Sequence, residues 1–287
     1  MEKRLEEIFG RLYENLLEIN SASEQEYANF TAMEGHRYRG AKNASGSPFR
    51  LMLVGRAVNG WDEYRGGKPL TRESFIDASM KNIKNAPGTV SQGSRYKDRF
   101  EWIDTQGNSV KNAKRIGIDP PDFDDDYLLT ESPFWSYAKD VWCKAYGRTQ
   151  AWDKRWFENI VWTNLYKIAP HGKGNPDRMA KAMQESVCVE LLKAEIEYFD
   201  PTHILFVTAQ DWFAPFEGLF EDVHLRKPNR PRGVNKNNFF AEGTATYLTE
   251  KGTRCKVIIA CRPEMRIKGD YVKQVSDFLM GKESIAE

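Results

Sequence analysis

Apolar and polar positions divide the chain into a helical opening, a polar middle and a regular second half. Leu5, Ile8, Phe9, Leu12, Leu16 and Ile19 recur at helical spacing and predict one amphipathic helix over 2–19. Residues 39–49 are dense in turn formers and read as a loop. Leu51, Met52, Leu53 and Val54 then close on Gly55, a short apolar run that predicts a strand buried on both faces. From 87 to 130 Gly, Asn, Pro and Asp accumulate, which reads as a long surface insertion.

Beyond it the periods are clearer. Phe134, Tyr137, Ala138, Val141, Trp142 and Ala145 predict a helix over 133–147, and 159–165 predicts a strand. Asn175, Pro176 and Asp177 form a helix start, with Asn175 as cap, Pro176 first and an acid in the first turn. Met179, Met183, Val187, Leu191, Ile196 and Phe199 carry that helix to Asp200 and Pro201. A strand over 203–207, a polar excursion, a strand over 256–260 and a closing helix through Tyr271, Val275 and Phe278 complete the chain.

Strands 51–55, 160–164, 204–207 and 256–260 alternate with helical patterns, which demands parallel crossovers. The expected fold class is α/β, a three-layer sandwich with a central, mostly parallel four-stranded sheet. We read 1–287 as one domain, with an N-terminal helical extension over 1–49 and a core over 50–280 that carries the 87–130 insertion.

Composition narrows the function classes. Many aromatic residues and a net charge of +1 exclude intrinsic disorder, and no apolar run reaches the ~18 residues of a membrane span. The start, Met1 to Glu7, has no apolar segment of a secretion signal. Cys143, Cys188, Cys255 and Cys261 lack metal-ligand spacing, so reduced thiols, no metal, no cofactor and a cytoplasmic location are the expectation. Asp124, Asp125 and Asp126 lack the spacing of a calcium loop and read as a solvated face. The sequence carries no signal for oligomeric state. The charge balance conceals a stretch, 226–236, with Arg226, Lys227, Arg230, Arg232 and Lys236 and no acid. That stretch reads either as a phosphate contact or as a solvated loop.

In open parallel sheets ligands bind outside the carboxyl ends of the strands. This rule selects 55–61, 164–167, 208–212 and 261–266, which share polar, aromatic and basic residues suited to a planar polar ligand. Trp61 and Trp212 have the shape to stack on a base and equally to pack at a rim.

The arrangement resembles the uracil-DNA glycosylase superfamily over roughly residues 50–280. The resemblance is carried by Leu53-Val54-Gly55-Arg56-Ala57, by the strand ending in Asn164, by Asp200-Pro201 feeding a strand, and by Ala260-Cys261-Arg262-Pro263-Glu264. It implies base excision from DNA: a base is flipped out, held by hydrogen bonds and stacking, and released by hydrolysis of its glycosidic bond. It also implies that Asn164 reads the base, that 55–61 positions water and that 261–266 takes the place of a His-Pro-Ser loop.

The chain departs from that pattern. Ala57 stands where many members carry Asp or Asn, with Asn59 two residues further on; Arg262 replaces a histidine and Glu264 a serine. Arginine stays ionised and cannot shuttle protons, but it can neutralise a departing base. The reading therefore assigns Asn59, His171 and Arg262 to catalysis. Gly55, Arg56, Ala57, Trp61, Asn164, Pro263 and Glu264 go to the base or ligand. Arg226, Lys227, Arg230, Arg232 and Arg266 go to DNA phosphates. Two alternatives stay open: a non-catalytic binder of nucleic acid or a small nucleobase-like ligand, and an enzyme acting on a free nucleotide or nucleoside. No membrane partner is expected.

Overall fold

The computed structural model describes residues 1–35, 37–57, 71–84, 132–147, 156–171, 174–226, 239–264 and 266–283. Asn59, Trp61, Lys227, Arg230, Arg232 and the 87–130 insertion lie outside the described residues.

Four apolar runs form the parallel centre of a sheet: β3 (Leu51–Gly55), β4 (Ile160–Asn164), β6 (His203–Val207) and β9 (Arg254–Ala260). β3 pairs in parallel with β4 and with β6, and β6 with β9. The sheet is wider than the predicted four strands. Among the described residues it has seven, adding β2 (Met33–Glu34) beside β4, then β8 (Ala241–Leu248) and β7 (Glu221–Leu225) beyond β9, all antiparallel. The polar excursion after β6 is thus largely strand. In β8 only alternate positions are buried, and three of these are Ala241, Gly243 and Ala245, so its apolar signal is faint. β7 is mostly exposed at the sheet edge. A second, two-stranded sheet joins β1 (Tyr27–Asn29) to β5 (Ile168–Pro170).

Side chains of the parallel strands alternate between two apolar layers, as the pleat requires. Met52, Val54, Val161, Ile204, Phe206, Val257 and Ile259 face α1 (Glu2–Ala22), α2 (Arg72–Ile83) and α4 (Arg178–Phe199). Leu51, Leu53, Ile160, Trp162, Leu205, Ile258 and Ala260 face α3 (Pro133–Tyr146) and α6 (Lys268–Leu279). Burial of each large apolar side chain stabilises the fold by about 1.5–3 kcal/mol. The segment 1–49 belongs to this architecture: α1 packs on α4 and α2, and β2 extends the main sheet.

The predicted cap of α4 shifts by two residues. Asp177, not Asn175, is the N-cap, and its Oδ1 accepts the Ala180 N–H at 2.8 Å. Pro176 then precedes the cap instead of opening the helix. At the other end Asp200 takes a left-handed conformation (φ 52°) before Pro201.

α4 leads from the carboxyl end of β4 back to the amino end of β6, so its N-terminus lies at the carboxyl edge of the sheet. α6 begins there too, because Tyr271 in its first turn donates to the Cys261 carbonyl at 3.0 Å. So does α3, whose Tyr137 donates to the Arg266 carbonyl at 2.7 Å. Three helix N-termini, each a source of partial positive charge, therefore converge on one edge. Among the described residues no helix is long and apolar enough to cross a membrane, and no group of three His, Cys, Asp or Glu is placed to hold a metal. The four cysteines are free and buried.

Candidate ligand site at the carboxyl edge

Asn164 closes β4 directly opposite Gly55 of β3. It continues the row of Ile160 and Trp162, so its side chain lies on the α3 side of the sheet. A β-carbon at residue 55 would come within 2.3 Å of Asn164 Oδ1 and 3.4 Å of the Phe134 ring. Glycine at 55 is what allows the carboxamide to lie flat across the strand end. Asn164 is 2% exposed, and its Nδ2 has no hydrogen-bond partner among the described residues. An unsatisfied buried amide costs about 1–3 kcal/mol, which an acceptor on a ligand would return. Two further backbone bonds fix this end: Leu165 N–H to Gly55 O and Tyr166 N–H to Arg56 O, both 2.9 Å.

The opposite side of β4 carries a charged network. Lys167 Nζ contacts Glu195 Oε2 at 2.8 Å and Thr163 Oγ1 at 2.5 Å, and Thr163 donates to the same carboxylate oxygen at 2.8 Å. All three residues are fully buried. Gln184 Oε1 accepts the Lys167 and Ile168 backbone N–H groups at 3.0 and 2.8 Å, which holds the turn that follows Asn164. Tyr166 lies in that turn and donates to Glu185 at 2.9 Å; burial and this carboxylate raise its phenol well above the ordinary value.

Arg56 leaves β3 toward the α4 side. Its Nε donates to Thr208 O at 2.7 Å, and its guanidinium lies over Trp212, 4.8 Å from the ring centroid. Burial, then the Arg262 charge, lower it to about 10, so it stays cationic at neutral pH. Ala57 is half-buried against the same layer. After β6 the chain turns sharply at Ala209 (φ 69°, ψ 163°), a conformation that non-glycine residues rarely adopt. It is held by the Ala209 N–H bond to Ala260 O at 2.9 Å and followed by the single-turn helix α5 (Gln210–Phe213), whose Gln210 N–H donates to Glu242 Oε2 at 2.9 Å. Burial raises the Glu242 carboxyl, with Asp211 adding to the rise.

In the last loop Arg262 is engaged by Glu264 through Nε–Oε2 at 2.9 Å, and both side chains reach solvent. Pro263 is buried, and its carbonyl accepts Arg266 N–H at 3.2 Å. Burial pushes the Cys261 thiol up to about 12, partly offset by Arg266, which places Arg266 against the core end of this loop.

The structure thus brings Gly55, Arg56, Ala57, Asn164, Arg262, Pro263, Glu264 and Arg266 to one edge. His171 follows β5 in the two-stranded sheet, where its N–H donates to Glu26 O at 2.9 Å, rather than at the end of a main-sheet strand. Arg226 follows β7, and its guanidinium lies over Phe239 and Phe278 at 4.5 and 5.7 Å. Phe134, Lys181 and Glu242 join the edge from elements that sequence reasoning did not connect to it. For Lys181 the signal was present, since the helix start near 175–177 puts it in the first turn facing the strand ends.

A cavity of about 410 Å³ lies elsewhere, at the amino end of the sheet, between Arg39, Glu197, Tyr198, Glu250 and Lys251. Its polar groups close the end of α4: Arg39 donates to the Tyr198 and Phe199 carbonyls, and Glu197 accepts the Glu250 N–H. No protein-family model matches this chain, and no curated protein sequence matches it.

Proposed function

We propose that the carboxyl edge binds a nucleobase presented by DNA and that the chain hydrolyses its N-glycosidic bond, in the manner implied by the resemblance to uracil-DNA glycosylases. The observation that carries the reading is the buried, unpartnered Nδ2 of Asn164 beside Gly55 and Phe134. A carboxamide offers one donor pair and one acceptor in a plane, the complement of a base edge. Gly55 leaves room for that carboxamide against the strand end, and Phe134 supplies an aromatic neighbour.

In this reaction the C1′–N bond breaks and its electron pair leaves with the base. Water oxygen bonds to C1′ and gives up a proton, and the departing base takes one. The groups that favour it are the N-termini of α3 and α6 together with Arg262 and Arg266, which stabilise negative charge on the leaving base.

The test is incubation with uracil-, hypoxanthine- and mismatch-containing duplexes followed by alkaline cleavage. Scission of at least one substrate, lost in Asn164→Ala with the fold intact, supports the reading. Absence of scission on every substrate at high protein concentration overturns the hydrolysis. Unchanged activity in Asn164→Ala removes that residue from the site.

A second reading, base binding without hydrolysis, is favoured by Arg262. It occupies the position where the resemblance places a proton-transferring histidine, and it is paired with Glu264. This reading expects base-selective binding, lost in Asn164→Ala, and no scission.

A further inference from the structure

We propose that Arg56 and Lys181, which converge on the ring of Trp212, form a phosphate subsite on the α4 side of the edge, across the strand ends from Asn164. The inference rests on the base-site reading for what the phosphate is attached to, but not for the subsite itself.

The three side chains come from three elements. Arg56 follows β3, Lys181 lies in the first turn of α4 and Trp212 follows β6. The Arg56 guanidinium carbon is 4.8 Å and Lys181 Nζ 4.7 Å from the Trp212 ring centroid. Tyr166 packs edge-on against the same ring at 5.6 Å and fixes it from the core side. With two cations over it, Trp212 serves as their platform rather than as a stacking surface for a base.

Arg262 adds its charge beside Arg56, and Asp211, Glu264 and Glu242 act against it, none of them within hydrogen-bond distance of the guanidinium. The carboxylate nearest Arg56 is Asp211, at 3.7 Å with a side chain 72% exposed. No carboxylate pairs with Lys181 among the described residues. Their distances from the shared ring place the two cations at most roughly 10 Å apart, about one Debye length. Arg56 is also short of acceptors: its side chain is only 16% exposed, yet beyond the Nε bond to Thr208 its N–H groups meet no acceptor within hydrogen-bond distance among the described residues. A fork of donors beside a point charge suits a tetrahedral oxyanion, and the N-terminus of α4 adds to the same field.

The alternation of the strands sets the geometry. Asn164 lies with the α3 layer, whereas Trp212 and Tyr166 pack with the α4 layer. A ligand that uses both sites must cross the crest of the sheet edge. A nucleic-acid strand does this with its base on one side and a phosphodiester on the other; a mononucleotide offers a terminal phosphate instead.

The test measures binding of the full chain to orthophosphate, a nucleoside 5′-monophosphate and a labelled single-stranded oligonucleotide, each at several salt concentrations. Lys181→Gln is expected to weaken oligonucleotide binding about tenfold and to lower the slope of log K against log salt by about 1, with base preference unchanged. Arg56→Gln is expected to do at least as much. Asn164→Ala should do the reverse, losing base preference and keeping the slope, so failure of one reading is separable from failure of the other. Binding of the monophosphate at similar strength assigns the subsite to a terminal phosphate; binding of the oligonucleotide alone assigns it to an internal one. Lack of binding by all three probes overturns the proposal. So does wild-type affinity and slope in Lys181→Gln, which is half-buried on a helix surface and keeps the test decisive if Arg56→Gln fails to fold.

Discussion

The carboxamide of Asn164 lies against Gly55 so closely that a β-carbon there would sit 2.3 Å from its Oδ1. Contacts of that length do not occur between real atoms, so one of the two residues must move when the other changes. Gly55→Ala is therefore expected to cost about 1–3 kcal/mol by overpacking and to displace the Asn164 side chain. Denaturant unfolding measures the first effect, and base binding measures the second. A variant with wild-type stability and binding would show that the carboxamide relaxes freely.

The Lys167–Glu195 pair has no solvent to replace a lost partner. Lys167→Met leaves a buried carboxylate facing only the Thr163 hydroxyl and is expected to destabilise by about 3–5 kcal/mol. The double variant Lys167→Met with Glu195→Leu should lose much less than the two single variants combined, because it strands no charge. Additive losses in chemical denaturation would show that the pair is not coupled.

Ala209 holds a backbone conformation that costs about 1–3 kcal/mol for a residue with a side chain. Ala209→Gly removes that strain at the expense of a more flexible unfolded chain, and a net gain of about 1 kcal/mol is expected. A lower thermal midpoint in this variant would place the strain elsewhere.

Burial, then the charge of Lys256, push the His203 imidazole down to about 4 from an ordinary 6.5. The native state thus keeps this ring neutral while the unfolded chain protonates it. Stability from this group is complete above pH ~6.5 and falls as pH drops from there toward 4, by up to roughly 3 kcal/mol. His203→Gln should be less sensitive to pH across that window in paired denaturation series at pH 7, 5 and 4. Equal slopes in the two proteins would exclude the assignment.

The parallel centre of the sheet was readable because both faces of its strands are covered. Met52 and Leu53 are equally buried, and such strands appear as unbroken apolar runs. β8 was not readable for the opposite reason: half of its residues face outward, and its inward ones are mostly small. β7 begins with Glu221 and Asp222 and has no apolar period at all. α2 was missed because its apolar stripe is thin; Phe75, Met80 and Ile83 carry it, and the Thr71–Ser74 capping box opens it. The site followed the same logic. Strand ends placed Gly55, Arg56, Asn164 and Arg262 from sequence alone. Lys181 could have been added from the helix start near 175–177, whereas Phe134 comes from a helix whose docking depends on long-range packing that no local pattern encodes.

β4 presents unlike polar groups on its two sides: Asn164 toward α3, and Thr163 toward the Lys167–Glu195 pair. A slip of one residue in its pairing would exchange them, pressing a carboxamide onto a buried ammonium–carboxylate contact and removing the carboxamide from the edge. The ion pair thus acts as an alignment key for the strand. A misthreaded sheet would be penalised at the strand end that carries Asn164.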